Sequence, residues 1–97
     1  MTSVIFDPDA KEEFLEAIQY YESCQSGLGR RFCFSIEDSI KKISVTPFMY
    51  RILHAPFRRL LLLKFPYSII YTIEPDHIRI IAVAHNKRKP AYWMKRT

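Results

Sequence analysis

The length, composition and charge of the chain exclude several classes of protein. Ninety-seven residues, 48% of them hydrophobic and only two of them glycine, are typical of one compact domain, so we expect a single domain over residues 1–97. No segment approaches the roughly eighteen consecutive apolar residues of a transmembrane helix, and the N-terminal residues lack the basic and apolar segments of a signal peptide, which predicts a cytoplasmic protein without membrane contact.

The charges are distributed unevenly along the chain. Residues 1–50 contain five Lys or Arg and eight Asp or Glu, a net charge of −3, whereas residues 51–97 contain ten and two, a net charge of +8. Such asymmetry indicates an anionic partner, which is nucleic acid, an acidic protein segment or a membrane surface. The membrane is the weakest of these, because the cations fall among strand-like segments rather than on one face of an amphipathic helix.

The first half of the chain predicts one strand and two helices. Residues 4–6 are typical of a short strand, Asp7 of a helix N-cap, and Pro8 of the first helical position. Apolar residues at helical spacing follow, and the glycines within residues 27–29 end this helix. A second helix is expected over residues 28–44, and the short turn between the two predicts an antiparallel helical hairpin.

The second half predicts three strands, over residues 59–65, 67–73 and 78–84, with a turn at 74–77 and with His54 in a loop before the first of them. Short connections between successive strands are typical of an antiparallel meander. The order β-α-α-β-β-β is that of an α+β fold, in which a helical hairpin covers one face of an antiparallel sheet. The other face is then free to form a groove.

The two cysteines, Cys24 and Cys33, do not indicate a metal site. They are too few to form one, and neither has a histidine nearby at the spacing of metal ligands. In the cytosol they are expected to be reduced. We therefore expect no metal and no other cofactor.

The most informative segment is the C-terminal one, over residues 82–94. A strand of small and β-branched residues ends there, and a histidine, three cations and two aromatic residues follow. A proton-transfer group, phosphate-binding charges and stacking surfaces together favour polyanion recognition or RNA chemistry. The alternative is a solvated basic tail whose histidine ends the strand and whose aromatic residues cap the core. The residues concerned are His85, Lys87, Arg88, Lys89, Tyr92 and Trp93.

Several motifs are spread over nearly the whole chain. They are the helix at 10–22, Gly27-Leu28-Gly29 with Phe32, Pro47 with Tyr50, the segment 59–71, and the segment 82–93. Their order and spacing resemble the RelE/ParE superfamily of bacterial toxins. The resemblance implies the β-α-α-β-β-β architecture and a small basic toxin of a type II toxin–antitoxin, or plasmid stabilisation, module. It also implies a cognate antitoxin that wraps the toxin in a hetero-oligomer and neutralises growth inhibition.

Two mechanisms occur in that superfamily. RelE-like members are endoribonucleases that cleave mRNA on the ribosome without a metal, and the resemblance then implies His85, Arg88 and Tyr92 as catalytic residues. Attack by a ribose 2′-OH needs a base, an acid and cations for the phosphorane charge. In RelE an arginine follows the tyrosine of the penultimate strand, where this chain has Ser68, and another arginine corresponds to Asn86.

ParE-like members instead poison DNA gyrase and need no catalytic residues of their own. Phe65-Pro66-Tyr67 together with Ser68 resembles this branch more, so gyrase is the preferred target. A third alternative is a non-toxic member of the fold that binds nucleic acid. The residues expected to contact the target or nucleic acid are Arg58, Arg59, Lys64, Lys87, Arg88, Lys89 and Trp93. The antitoxin is expected to be an acidic, amphipathic segment that folds as it covers the groove.

Overall fold

The computed structural model describes residues 2–96 as a helical hairpin packed on one face of a five-stranded sheet. Its elements are β1 (Val4–Phe6), α1 (Pro8–Cys24), α2 (Leu28–Val45), β2 (Arg51–His54), β3 (Phe57–Leu61), β4 (Tyr67–Ile73), β5 (Ile78–His85) and a 3-10 helix (Tyr92–Arg96). The strands lie in the order β1-β5-β4-β3-β2. These features confirm the α+β class and the helical hairpin over the sheet.

The sheet differs from the sequence-based expectation in its edges. Strand β1 runs parallel to β5, so the sheet is mixed, although β2 to β5 form an antiparallel meander as expected. His54 ends strand β2 and does not lie in a loop. The sequence predicts no strand there, because β2 is only four residues long and Ala55-Pro56 follows at once. Strand β3 occupies Phe57–Leu61 rather than 59–65, since Leu62 already turns back to bond Tyr67.

Helix α1 begins as predicted, with Asp7 at the N-cap and Pro8 at the first helical position. The missing N–H of a proline is harmless there. The Asp7 carboxylate makes no bond to the helix backbone and instead accepts a hydrogen bond from Arg79 Nε at 2.7 Å. This ion pair joins the start of α1 to β5.

The turn between the helices depends on both glycines of the chain. Gly27 has φ of 87°, which a glycine adopts without strain. The Glu22 carboxylate accepts hydrogen bonds from the backbone N–H groups of Gly27 and Gly29, at 3.0 and 3.1 Å. A Cβ atom at Gly29 would lie 2.7 Å from the Ile18 carbonyl oxygen. The absence of a side chain therefore sets the close approach of α1 and α2.

Replacing Gly29 by alanine is expected to destabilise the protein by about 1–3 kcal/mol, because the added methyl group has no room against α1. Urea unfolding followed by circular dichroism measures the change. Ser26→Ala in the same turn is the control, since Ser26 is exposed. Equal stability of the two variants would show that the helices can separate without loss of packing.

The main core lies between the helices and the sheet. Phe32 is its centre, fully buried and in ring contact with Phe14, Tyr21, Phe65 and Tyr67. Aromatic pairs of this kind contribute beyond the area that they bury. The pairing of α1, α2 and β4 through one ring explains why the helical hairpin sits at a fixed position on the sheet.

The opposite face of the sheet is not an open groove over its whole width, contrary to the prediction. The 3-10 helix folds back over β4 and β5, and Trp93 packs there with a side chain that is only 8% exposed. It forms a second core with five residues of the sheet, Phe57, Ile70, Ile81, Ala82 and Ala84. Ala91 has φ of 62°, which turns the chain into this position. The cluster reaches β3 through the buried Phe57, and Leu53 of β2 packs against it.

Candidate functional site

His85 lies at the end of β5, beside a pocket of about 270 Å³. Its ring contacts the ring of Tyr67 edge-on, with centroids 5.1 Å apart. Its Nδ1 accepts a hydrogen bond from the backbone N–H of Lys87 at 3.0 Å, so in the neutral ring the proton lies on Nε2. Arg88 lines the same pocket, so the structure brings these two predicted residues together.

The charge around this pocket does not suit an RNA backbone. Glu13 and Glu16, both from α1, line it together with His85 and Arg88. Carboxylates repel a phosphodiester, and the repulsion is strongest where water is partly excluded. A phosphate in this pocket would meet two carboxylates and one guanidinium, that of Arg88.

Glu13 is the centre of a hydrogen-bond network that closes the edge of the sheet. Strand β1 pairs with β5 only as far as Ile80, so the following backbone groups of β5 need other partners. The Glu13 carboxylate accepts from the Val83 N–H at 3.0 Å, and Arg96 donates to the Ile81 carbonyl at 3.1 Å. Arg96 also donates to both oxygens of Glu13 at 3.0 Å.

This network also holds Tyr92 and Arg88. The Tyr92 hydroxyl donates to Glu13 Oε2 at 2.6 Å, and burial together with this bond raises the pKa of Tyr92 well above its usual range. The guanidinium of Arg88 lies over the Tyr92 ring, 4.0 Å from its centroid, and 4.0 Å from the Glu13 carboxylate. Both side chains thus support the 3-10 helix, and Tyr92 stays protonated near neutral pH.

The two positions at which RelE carries arginines are occupied by a neutral pair. Ser68 is buried on β4, and its hydroxyl donates to Asn86 Oδ1 at 2.6 Å. The backbone N–H of Asn86 donates to the Pro66 carbonyl at 2.8 Å, which fixes this side chain. The pair brings no positive charge to the place where the resemblance to RelE would require two.

The predicted basic residues fall into two groups. Arg58 is engaged internally, since it donates to the carbonyls of Phe48 and Tyr50 and its guanidinium lies 5.3 Å from the Phe48 ring centroid. Trp93 and Arg88 are engaged as described above. The second group consists of Lys64, Lys87 and Lys89, which are exposed, and of Arg59 on β3, which is half-buried. Within residues 2–96, no carboxylate lies at ion-pair distance from these four.

Comparison with known proteins finds a matching family and a solved structure of similar fold. The model of the family described as "ParE toxin of type II toxin-antitoxin system, parDE" matches residues 4–90. The chain belongs to this family. A solved structure described as "Chromosomal ParDE TA system from P. aeruginosa" has the same fold, with a TM-score of 0.63 and 13% sequence identity over 88% of this chain and 96% of that chain. A search of curated proteins finds no match.

In this ParE-family chain, α2 is flanked by two exposed apolar grooves. The larger, of about 680 Å³, lies between α2 and the segment that joins β3 to β4. Phe34 lines both grooves and is 62% exposed, and Leu63 in the larger groove is 96% exposed. Cations surround the larger groove at Arg31 and Lys64. Such exposed apolar surface with a charged rim is typical of a protein-binding site.

Two residues important to the ParE-family chain were not singled out from the sequence. Glu13 falls three residues after Ala10 and four before Ala17, which places a carboxylate on the buried stripe of α1 and is a detectable signal. Arg51 pairs directly with Arg59 across β2 and β3. Its signal is the charge of residues 39–73, which contain six Lys or Arg and no Asp or Glu.

No helix within the described residues is long and apolar enough to cross a membrane.

Proposed function

We propose that this chain is the toxin of a type II toxin–antitoxin module that acts in the cytoplasm by poisoning DNA gyrase. Membership of the ParE toxin family supports the toxin assignment. The choice of gyrase over RNA rests on the bond between Ser68 and Asn86, because it fills with neutral groups the positions that RNA-cleaving relatives occupy with arginines.

The remaining residues of a nuclease site also argue for contact rather than bond cleavage. RNA cleavage needs a base, an acid and cations that stabilise the phosphorane. The raised pKa of Tyr92 makes its hydroxyl a poor acceptor of the substrate's proton, and the bond to Glu13 directs the hydroxyl proton away from a substrate. His85 faces two carboxylates of α1. A toxin that traps a protein–DNA complex needs none of these steps.

The exposed cations supply what gyrase poisoning would require. Lys64, Lys87 and Lys89 have no carboxylate partner within the part of the chain that the structure describes, so their charges are available to DNA phosphates. Neutralised phosphates release condensed counterions, which drives association at low salt. These lysines would strengthen the toxin's hold on the DNA segment bound by gyrase.

A pair of reactions with the purified toxin tests the proposal. We expect gyrase and supercoiled plasmid to give linear DNA after protein digestion, and mRNA in a translation reaction to remain uncut by primer extension. His85→Ala is expected to change plasmid cleavage by less than about twofold, since no proton transfer is involved. New mRNA ends that appear only with ribosomes, and that are absent with His85→Ala, would show that the toxin is an endoribonuclease and not a gyrase poison. Absence of both reactions would favour a non-toxic nucleic-acid-binding protein.

We further propose that the antitoxin covers α2 with an acidic amphipathic helix. The grooves on either side of Phe34 offer places for apolar anchors at helical spacing. Arg31, Lys42 and Lys64 around the larger groove would pair with acidic residues of the helix, although Lys42 already contacts Asp38 at 3.3 Å. Apolar anchors match the shape of both grooves, and an acidic rim matches the charge of the larger one, whereas Glu37 and Asp38 line the smaller.

A further inference from the structure

The outer edge of β2 is an open side of the sheet. Strand β2 pairs with β3 alone, and no hydrogen bond within residues 2–96 joins its outer backbone groups to another element. An unpaired strand edge is a template for another extended chain. At the opposite side of the sheet, Glu13 and Arg96 close the free edge of β5.

The helix side of β2 is apolar and exposed. Ile52 pairs with Arg58, and Arg58 pairs with the buried Tyr71 of the main core, so Ile52 points to the helix side of the sheet. The segment that leads into β2 adds Phe48, 70% exposed, and Met49, 68% exposed. The Phe48 ring lies against Arg58, the partner of Ile52, which places this apolar surface along the edge strand.

The other side of β2 is positively charged. Arg51 pairs with Arg59, and the same row continues through Ile70 and Ala82 of the second core, so both arginines lie on that face. Like charges directly opposite each other destabilise a pair of strands. Neither arginine has a carboxylate partner within the described residues, and residues 39–73 contain no acid. Carboxylates of a binding partner would relieve the repulsion between these two arginines.

We propose that β2 accepts an extended acidic segment of a partner protein as a sixth strand of the sheet. Alternating residues of that segment would place apolar side chains beside Ile52 and Phe48, and carboxylates beside Arg51 and Arg59. Because side chains alternate between faces along a strand, this pattern requires acidic and apolar residues at every second position. The site is distinct from the helix-binding grooves beside α2 and does not depend on the toxin's target.

The same features select against a second copy of this chain. Two β2 edges brought together would oppose their arginines, and β2 is short with an irregular register between Ile52 and His54. Cations and irregularities on an edge strand are the usual means of preventing self-association. The cations do not exclude an acidic strand. The positive charge of Arg51 and Arg59 repels a second copy of β2 but attracts carboxylates.

The test uses the full chain and capped octapeptides that alternate glutamate with valine, with a lysine–valine peptide as the charge control. We expect the acidic peptide to bind and to protect β2 amides from hydrogen exchange, and the lysine peptide not to bind. Arg51→Glu should weaken binding about tenfold. Lys41→Glu, the same charge change on an exposed position of α2, should alter it less than about twofold.

A second peptide separates strand pairing from side-chain docking. Methylation of every backbone nitrogen keeps the side chains but removes the donors that an added strand needs, and it should abolish binding. Equal binding of the methylated peptide, or no binding of the acidic one, would overturn the proposal. Sedimentation without peptide adds a further outcome: a dimer that Arg51→Glu alters would assign the edge to a second copy and overturn it too. None of these results depends on plasmid or mRNA cleavage.

Discussion

Replacing Glu13 by alanine is expected to destabilise the protein by about 3–5 kcal/mol, which is a large part of the 5–15 kcal/mol of a typical domain. The carboxylate is the shared acceptor for the Val83 N–H, the Tyr92 hydroxyl and the Arg96 guanidinium. Its removal leaves the Val83 N–H without its acceptor and leaves Arg96 with only the Ile81 carbonyl and the more distant Asp9 carboxylate, at 3.6 Å. The 3-10 helix should then detach and expose the second core.

Thermal and urea unfolding of Glu13→Ala measure this loss, and tryptophan fluorescence reports the environment of Trp93. The control is Glu16→Ala, one turn later on α1, because Glu16 is exposed and has no hydrogen bond or ion pair among residues 2–96. Its effect should stay within about 0.5 kcal/mol. Similar stabilities of the two variants would mean that water replaces the Glu13 network at little expense.

Phe34→Asp is expected to weaken antitoxin binding by about 100-fold while the toxin stays folded. The ring lines both grooves beside α2, and the residues that anchor an interface dominate its energy. A carboxylate there would also repel an acidic antitoxin. Because the side chain is 62% exposed in the free toxin, the substitution removes little core packing.

Titration calorimetry with the purified antitoxin measures the change in affinity. Leu15→Asp on α1 is the matched control, since Leu15 is 50% exposed but lines neither groove. In cells, Phe34→Asp toxin should arrest growth even when the antitoxin is co-expressed. Unchanged affinity of Phe34→Asp would mean that the antitoxin binds another surface of the toxin. That result would not bear on the gyrase proposal.

The elements most accurately predicted from the sequence are those with strong local signals. Asp7 and Pro8 mark the start of α1, and strands β4 and β5 are continuous β-branched and apolar runs. Strand β2 lacks such a signal, since its pairing depends on β3 rather than on its own composition. The shift of β3 has the same origin, because a run of leucines does not reveal where the chain turns.

The candidate site could be predicted only in part, because its contacts join distant residues. The sequence places His85 and Arg88 at the end of the last strand, and the structure confirms that neighbourhood. The sequence alone cannot reveal that Glu13, 79 residues before Tyr92, binds the tyrosine hydroxyl. The Glu13 carboxylate meets the basic tail only after folding, where it accepts a hydrogen bond from Tyr92 and lies 4.0 Å from Arg88.

The acid-free stretch of residues 39–73 has a consequence for how the molecule approaches a partner. Helix α1 carries five acids and one lysine, whereas that stretch carries six cations, so these two parts of the protein differ in the sign of their charge. In the field of a polyanion an uneven charge distribution experiences a torque before contact, and the torque turns the acid-free stretch toward the partner. Encounters would then be pre-oriented at low ionic strength and become random in direction as salt shortens the range of the field.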